Sequence, residues 1–205
     1  GHALDYEGWR QAGCPGWGYA DVLPYFKRME TYGGGGNEYR GDNGPLHVHR
    51  AAPQDPLTLA FLKAGEEAGY PATDDISGFC QEGFGIFDRT VFKGERWSTS
   101  RGYLDPVRDR KNLTIITKAL VCKLIIENKT AKGVCFKNNK GEMNNIKAKK
   151  EVILSAGAVG SPHILMLSGI GPKDHLGSMG IELKADLPGV GQNLNDHPDF
   201  MIKYR

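Results

Sequence analysis

The amino-acid sequence predicts a mixed fold with α/β and α+β character. β-Branched runs separated by short polar turns between residues 113 and 148 indicate an antiparallel β-meander. The apolar run at 151–155 ends in small residues and leads into an apolar helix, which is the strand–turn–helix order of an α/β unit. The chain has 205 residues, of which 40% are hydrophobic, so it is long enough to bury a core of this kind.

Two helices are expected before the meander. Apolar residues at helical spacing predict an amphipathic helix over about 20–30, with Pro24 in its first turn. The pair Asp55-Pro56 is an N-cap followed by proline at the first helical position, and it predicts a second helix that Gly69 ends. The inner face of this second helix is expected to consist of Leu57, Phe61, Ala64 and Ala68.

Alternating and β-branched segments predict the strands. One or two short strands are expected within 84–91, followed by a turn at 93–95. The strands of the meander are expected at 113–117, 121–126, 133–136 and 145–148. A buried strand at 151–155 and a helix that begins at Ser161-Pro162 complete the predicted elements.

Charge and cysteine usage exclude several classes of function. The 26 basic and 24 acidic side chains nearly cancel, and the densest basic stretch, 147–150, is too short for a phosphate-binding stripe, so we expect no nucleic-acid partner. The four cysteines lie far apart, and no histidine cluster has metal-ligand spacing, which predicts free thiols and no metal site. The apolar runs fall well short of the ~20 residues that span a bilayer, so no transmembrane segment is expected.

The strand–turn–helix unit is the first candidate for chemistry. Small side chains at Ala156, Gly157 and Ala158 would let a dinucleotide approach the backbone, and the helix N-terminus would offer N–H groups and a positive dipole end to phosphate. The same pattern occurs in α/β proteins that bind nothing there, so both interpretations stay open on spacing alone. The meander upstream favours the ligand-binding interpretation, because two-dinucleotide-binding flavoproteins place such a meander before the strand that returns to the nucleotide sheet.

Longer stretches of the sequence resemble one enzyme family. Residues 157–171, GAVGSPHILMLSGIG, match every fixed position of the second signature of the glucose-methanol-choline (GMC) oxidoreductases. Residues 187–197, LPGVGQNLNDH, resemble the next characteristic stretch, and residues 1–9 resemble the segment after the first signature. Further similarity to the choline dehydrogenases of this family lies at 17–26, 81–85 and 96–98. The chain is therefore identified as a member of the GMC family, similar to its choline dehydrogenases, and as an internal part of such an enzyme.

The resemblance implies FAD as the cofactor. It also implies part of a Rossmann-like FAD-binding domain with an antiparallel β-meander, joined to part of a sheet-containing substrate domain. Residues 1–200 would be a partial FAD domain without the family's glycine-rich phosphate loop, and 201–205 would be the truncated start of the next substrate-domain segment. The family's catalytic histidine would lie outside the chain as well, so we assign no catalytic residue here and expect no turnover from these residues alone.

The implied reaction is the oxidation of an alcohol, choline-like or another primary alcohol, to the aldehyde by hydride transfer to flavin. The electrons would pass to a quinone-type acceptor rather than to oxygen. An oxidase that uses oxygen, a lyase that keeps FAD for its structure, and a non-catalytic module remain open. The expected location is the bacterial cytoplasm, with or without peripheral attachment to the inner membrane, and mitochondria are the alternative.

The resemblance also supplies site residues. Val121 corresponds to a position where family members contact the adenine end of FAD through the backbone, although its side chain could equally be that of a plain strand residue. The turn at 156–158 would lie near the cofactor. Asp199 replaces a glutamate that faces the trimethylammonium group in choline-oxidising members; its shorter arm puts choline itself in question, and a solvent-facing loop acid is the alternative. His197 is expected to have a structural role rather than to transfer protons.

Overall fold

The computed structural model describes residues 1–50, 52–53 and 55–202. The chain forms two compact units, Gly1–Leu113 and Thr114–Arg205. Each unit combines helices with small sheets. The predicted mixed fold class is therefore confirmed.

In the described part of the first unit, the first and third helices begin at side-chain caps, and the second lies between them. Helix α1, Ala3–Gln11, begins at a capping box in which the His2 side chain accepts a hydrogen bond from the Leu4 N–H. Helix α2 spans Tyr19–Met29, and α3 spans Pro56–Glu67. The Asp55 carboxylate accepts hydrogen bonds from the first N–H groups of α3, as the sequence predicts.

The inner face predicted for α3 is wrong for most of its residues. Leu57 and Phe61 are 73% and 49% exposed, whereas Gly65 is the buried residue of the helix. A Cβ atom at Gly65 would lie 2.5 Å from Cδ1 of Phe84, so only glycine allows the helix to approach this ring. Phe61 contacts the same Phe84 ring, with centroids 5.3 Å apart, but Leu57, Ala64 and Ala68 of the predicted row are exposed, so Gly65 makes the buried contact of the helix.

The strands of the first unit are short. Strand β1, Glu30–Tyr32, pairs in parallel with β2, Leu46–Arg50, and β2 pairs antiparallel with β3, Asp88–Arg89. Strands β4, Val91–Phe92, and β5, Glu95–Arg96, form a hairpin. The expectation of short strands near 84–91 with a following turn is confirmed, and a π-helical turn, Ser100–Leu104, and a 3₁₀ turn, Asp105–Val107, come next.

The second unit is built on the predicted meander. Strands β6, Leu120–Glu127, β7, Thr130–Lys137, and β8, Met143–Lys147, form an antiparallel sheet in that order. Their buried side chains are those of Leu124, Cys135 and Phe136. Residues 113–117 form no strand, so that part of the strand prediction is wrong.

The segment after the meander differs from its prediction. Residues 151–155 pair with none of the described strands, and Ile153 is 80% exposed. A buried strand needs neighbours that complete its hydrogen-bond ladder, so the predicted buried strand does not form among the described residues. Helix α4, Gly157–Leu167, begins four residues before the predicted Ser161-Pro162 start, so Pro162 lies inside it. The remaining elements are β9, Ile170–Gly171, α5, Lys173–Ser178, and β10, Ala185–Asp186, with β10 parallel to β9.

Two further findings bear on the predicted properties of the chain. In the part of the chain that the structure describes, no helix is both long and apolar enough to traverse a membrane. The four cysteines are free thiols, as expected: two are exposed, Cys122 is half-buried and Cys135 is buried.

Candidate functional site

The turn that precedes α4 has an unusual backbone. Ala156 has φ −90° and ψ 10°, and Gly157 follows with φ +83°, in the left-handed region that side-chain-bearing residues avoid. A Cβ atom at Gly157 would meet nothing within 4 Å, so the backbone conformation, and not crowding inside the chain, calls for glycine here. The space above this turn is open to an approaching molecule.

The N–H groups of this turn are available to such a molecule. The Ala156 N–H is already used, since it donates to Oγ of Ser161 at 3.0 Å. The N–H groups of Gly157 and Ala158 lie in the first turn of α4 and have no intrahelical acceptor. A right-handed residue followed by a left-handed one is also the backbone pattern that turns successive N–H groups toward an anion. The donors, the helix dipole and the small exposed side chains therefore fit the phosphate part of a dinucleotide.

The C-terminal end of α4 is fixed to the meander. Oγ of Ser168 accepts a hydrogen bond from the Leu124 N–H at 2.8 Å and donates to the Ile164 carbonyl at 2.6 Å. Because β6 is an edge strand, Ser168 satisfies a buried amide that the sheet itself does not use. Gly169 then takes φ +83°, and a Cβ atom there would lie 2.3 Å from the Glu182 carbonyl oxygen.

Val121 lies on the same edge strand. It is half-buried, stands opposite Phe136 in β7, and a register shift falls between Val121 and Lys123. An edge strand leaves backbone groups on one side free, and a bulge re-aims them, so a backbone contact with a ligand is feasible at this point. No hydrogen bond within the described second unit joins Val121 to the turn at 156–158, and its role stays a prediction.

The two stretches that carry the resemblance meet in space. The Leu187 N–H donates to the Gly171 carbonyl at 3.1 Å, and the Cβ position of Gly191 lies 3.4 Å from Met166 Cε and 3.9 Å from Pro162 Cβ in α4. The segment 192–202 therefore departs from the side of α4.

Asp199 and His197 lie on this departing segment, and both are exposed. The His197 N–H donates to the neighbouring Asp196 carboxylate at 2.8 Å. Within the described ranges, Asp199 makes no hydrogen bond or ion pair with the turn at 156–158, so its substrate role stays a prediction.

The sequence analysis missed an ionic cluster in the first unit. Arg40, only 3% exposed, donates to both carboxylate oxygens of Glu30 at 2.7 and 3.0 Å, to Asp75 at 2.7 Å and to Asp88 at 2.8 Å. Arg50 donates to the same two aspartates at 2.9 Å each. Burial acts to lower the pKa of the Arg40 guanidinium, but the hydrogen bonds and charges of the three carboxylates outweigh burial, so its pKa is raised.

A cavity of about 240 Å³ lies beside this cluster. Its walls include the rings of Tyr6, Tyr19 and Phe26 together with the Arg40 side chain. Burial raises the pKa of the Tyr6 and Tyr19 hydroxyls. No sequence signal could have found the cavity, because its lining comes from segments with separate local patterns.

The comparison with known proteins identifies the family. A family model described as GMC oxidoreductase matches residues 1–199. The chain belongs to the GMC oxidoreductase family. Its curated relatives include the oxygen-dependent choline dehydrogenases of Rhizobium etli (strain CIAT 652) and Rhizobium meliloti (strain 1021), which are 50% and 49% identical over 203 residues. These alignments cover 99% of this chain and 37% of the relatives, so the chain spans little more than a third of their length.

Solved structures of two oxidoreductases share the fold. Pyridoxine 4-oxidase from Mesorbium loti is 34% identical with a TM-score of 0.81; the alignment covers 92% of this GMC chain and 37% of the oxidase. An FAD-dependent oxidoreductase from Chaetomium thermophilum is 32% identical with a TM-score of 0.85. Its alignment covers 92% of this chain and 35% of the oxidoreductase. The predicted family and its resemblance to choline dehydrogenases are therefore confirmed.

Proposed function

We propose that this GMC chain is part of an FAD-dependent alcohol dehydrogenase. It would oxidise a choline-like or other primary alcohol to the aldehyde and pass the electrons to an acceptor other than oxygen. The observation that carries the proposal is the open turn at Gly157, which begins α4 inside the stretch that matches the GMC signature.

The family match and the FAD-dependent structural neighbour indicate FAD as the cofactor, as the sequence predicts. When bound, FAD accepts the hydride that leaves the alcohol carbon. We assign the contacts of this chain to Ala156, Gly157 and Ala158, whose small side chains leave space for the cofactor. The free N–H groups of Gly157 and Ala158 would donate to its oxygen atoms. Val121 would contact the adenine end through its backbone, which lies on the open edge of the meander.

The domain assignment is part of the proposal. Residues 1–200 would belong to the FAD domain, and 201–205 would begin the next substrate-domain segment. The resemblance to the family implies a catalytic base outside these residues, so no residue of this chain is assigned to catalysis. The role of these residues is to position the cofactor and to shape one wall of the substrate site.

Asp199 is the proposed substrate contact. Its carboxylate lies in an exposed segment that departs from the side of α4, and a negative charge there would attract a cationic alcohol. The relatives that are named choline dehydrogenases support a quaternary ammonium substrate. The side chain is one methylene shorter than glutamate, so a cationic alcohol of different size could suit the site better than choline.

Oxygen is the second candidate for the electron acceptor. It is favoured by the relatives that are named oxygen-dependent choline dehydrogenases and by the oxidases among the structural neighbours. A quinone-type acceptor would agree with peripheral attachment to the bacterial inner membrane, and a cytoplasmic or mitochondrial location remains the alternative.

A turnover assay tests the proposal and separates the acceptors. The holoprotein, expressed from its complete gene, is mixed with choline or with a neutral primary alcohol, and aldehyde formation is measured. We expect turnover with an artificial dye acceptor under argon and little hydrogen peroxide in air. Fast peroxide formation in air would support the oxidase instead, and no aldehyde under either condition with any alcohol would refute the proposed reaction.

A further inference from the structure

The meander carries an unusual excess of one charge. Residues 118–151 contain nine lysines and three glutamates but no arginine or aspartate, which gives this segment a formal charge of +6. The whole chain has a net charge of only +2. The excess positive charge of the chain is therefore concentrated on one small sheet and the residues next to it.

Five of these lysines lie around one end of the sheet, where Lys132 and Lys147 project from its opposite faces. The five lysines form a surface that we term the lysine edge: Lys129, Lys132, Lys147, Lys149 and Lys150. Lys147 stands opposite Gly133 in the β7–β8 ladder, and the Ala148 N–H donates to the Lys132 carbonyl at 2.8 Å. Lys129 lies in the two-residue turn between β6 and β7, where it and Asn128 have positive φ. The basic stretch at 147–150 is thus extended by residues that are distant in sequence.

The lysine edge is exposed and free of counter-charges. All five side chains are exposed, and none of them forms an ion pair or a side-chain hydrogen bond within residues 1–50, 52–53 and 55–202. By contrast, the buried guanidinium of Arg40 and the half-buried guanidinium of Arg50 are paired with carboxylates. A group of like charges without internal partners is complementary to an external anionic surface.

The side-chain chemistry favours a lipid surface over other polyanions. Nucleic-acid sites use arginine forks and exposed aromatic rings that stack on bases, whereas segment 118–151 has no arginine and its one aromatic residue, Phe136, is buried. Specific protein interfaces likewise rely on arginine and aromatic anchors. Each lysine carries a compact charge on a flexible side chain. A cluster of such charges is attracted to a surface of anionic headgroups without needing a fixed contact geometry.

We propose that the lysine edge docks this protein onto a membrane rich in anionic phospholipid. The inference rests on the peripheral location put forward with the proposed function, and it adds the surface that makes the contact. A quinone-type acceptor would be dissolved in the same membrane.

Vesicle binding tests the proposal without any turnover. The holoprotein is titrated with phosphatidylcholine vesicles that contain or lack phosphatidylglycerol. We expect binding only to the anionic vesicles. Binding should weaken strongly as the salt concentration rises, since the Debye length falls from about 8 Å at 0.15 M to about 3 Å at 1 M.

The decisive variant replaces the five lysines of the lysine edge with glutamine, written K129Q, K132Q, K147Q, K149Q and K150Q. Each lysine near an anionic surface strengthens binding about fivefold, so the combined variant should bind at least about a hundredfold more weakly. The matched control removes five exposed lysines elsewhere: K63Q, K93Q, K111Q, K173Q and K184Q. It should keep most of the affinity, because its net charge changes equally but the lysine edge is intact.

Equal weakening of both variants, or equal binding to both kinds of vesicle, would overturn the proposal. Tighter binding to a soluble acidic protein than to anionic vesicles would also overturn it. A protein that oxidises no alcohol but binds anionic vesicles through the lysine edge would refute the proposed function and leave this inference intact. Circular dichroism of both variants establishes that the sheet is folded.

Discussion

Replacing Arg40 with methionine should destabilise the first unit severely. Arg40 is 3% exposed and forms hydrogen bonds with Glu30, Asp75 and Asp88, and its guanidinium carbon also lies 3.9 Å from the centre of the Tyr32 ring. Methionine fills a similar volume but removes the charge and every donor. Two aspartates would then share Arg50, while Glu30 would lose both hydrogen bonds to the guanidinium and remain 16% exposed.

The structure sets the size of this effect. Removing one partner of a buried ion pair costs about 3–5 kcal/mol, because the remaining charge stays buried without compensation. The control is Arg108→Met, which breaks an exposed pair with Asp105 whose side chains are 56% and 48% exposed. Solvent-screened pairs of that kind contribute about 0–1 kcal/mol. The two arginine variants should therefore differ by at least about 2 kcal/mol in the free energy of unfolding.

Urea denaturation followed by tryptophan fluorescence measures this difference. The three tryptophans of the 205-residue chain, Trp9, Trp17 and Trp97, all lie in the first unit, so the fluorescence signal reports on that unit. The shift of the urea midpoint, multiplied by the slope of the transition, gives the change in free energy. If R40M loses no more stability than R108M, the ionic cluster does not stabilise the unit and the reasoning fails.

Three further variants test the second unit. Ser168→Ala should lower the free energy of unfolding by about 1–3 kcal/mol, measured by urea denaturation followed by far-ultraviolet circular dichroism, because it leaves a buried β6 amide unpaired. A loss below about 0.5 kcal/mol would contradict that role. Gly157→Val should abolish flavin retention on gel filtration. Gly94→Val is the control and should keep the flavin, since both glycines have positive φ and open space at Cβ. Equal retention by the two variants would refute the cofactor site. Asp199→Asn should lower kcat/KM for cationic alcohols about five- to a hundredfold and leave neutral alcohols unchanged, with Asp196→Asn as the control in the same segment. An equal effect on both classes of alcohol would make Asp199 a structural loop acid.

Features with local causes could be predicted from the sequence. The N-cap at Asp55 and the helical spacing over 20–30 specified α3 and α2, because capping and amphipathic periodicity act within a few residues. The meander was predictable for the same reason, since its turns and β-branched runs alternate along one continuous segment. The small-residue turn at 156–158 was also recognisable from its sequence neighbours, although the helix start predicted at Ser161-Pro162 lies four residues too late.

Features that depend on distant residues could not be predicted in this way. The partners of Arg40 lie 10 to 48 positions away, and no periodic pattern connects them. The orientation of α3 depends on the close approach of Gly65 to Phe84, which spacing on the helix does not reveal. The apolar run at 151–155 has the composition of a strand, but strand formation also requires a neighbour in register, and no described residue provides one.

Anaerobic mixing of the holoprotein with an alcohol tests the central claim most directly. The protein expressed from its complete gene is purified, its flavin absorbance band is recorded, and choline or another primary alcohol is added in the absence of oxygen and of any acceptor. We expect the oxidised flavin band to bleach while one aldehyde forms for each flavin reduced. A protein that retains no flavin, or a flavin band that no alcohol bleaches, would contradict FAD-dependent alcohol oxidation.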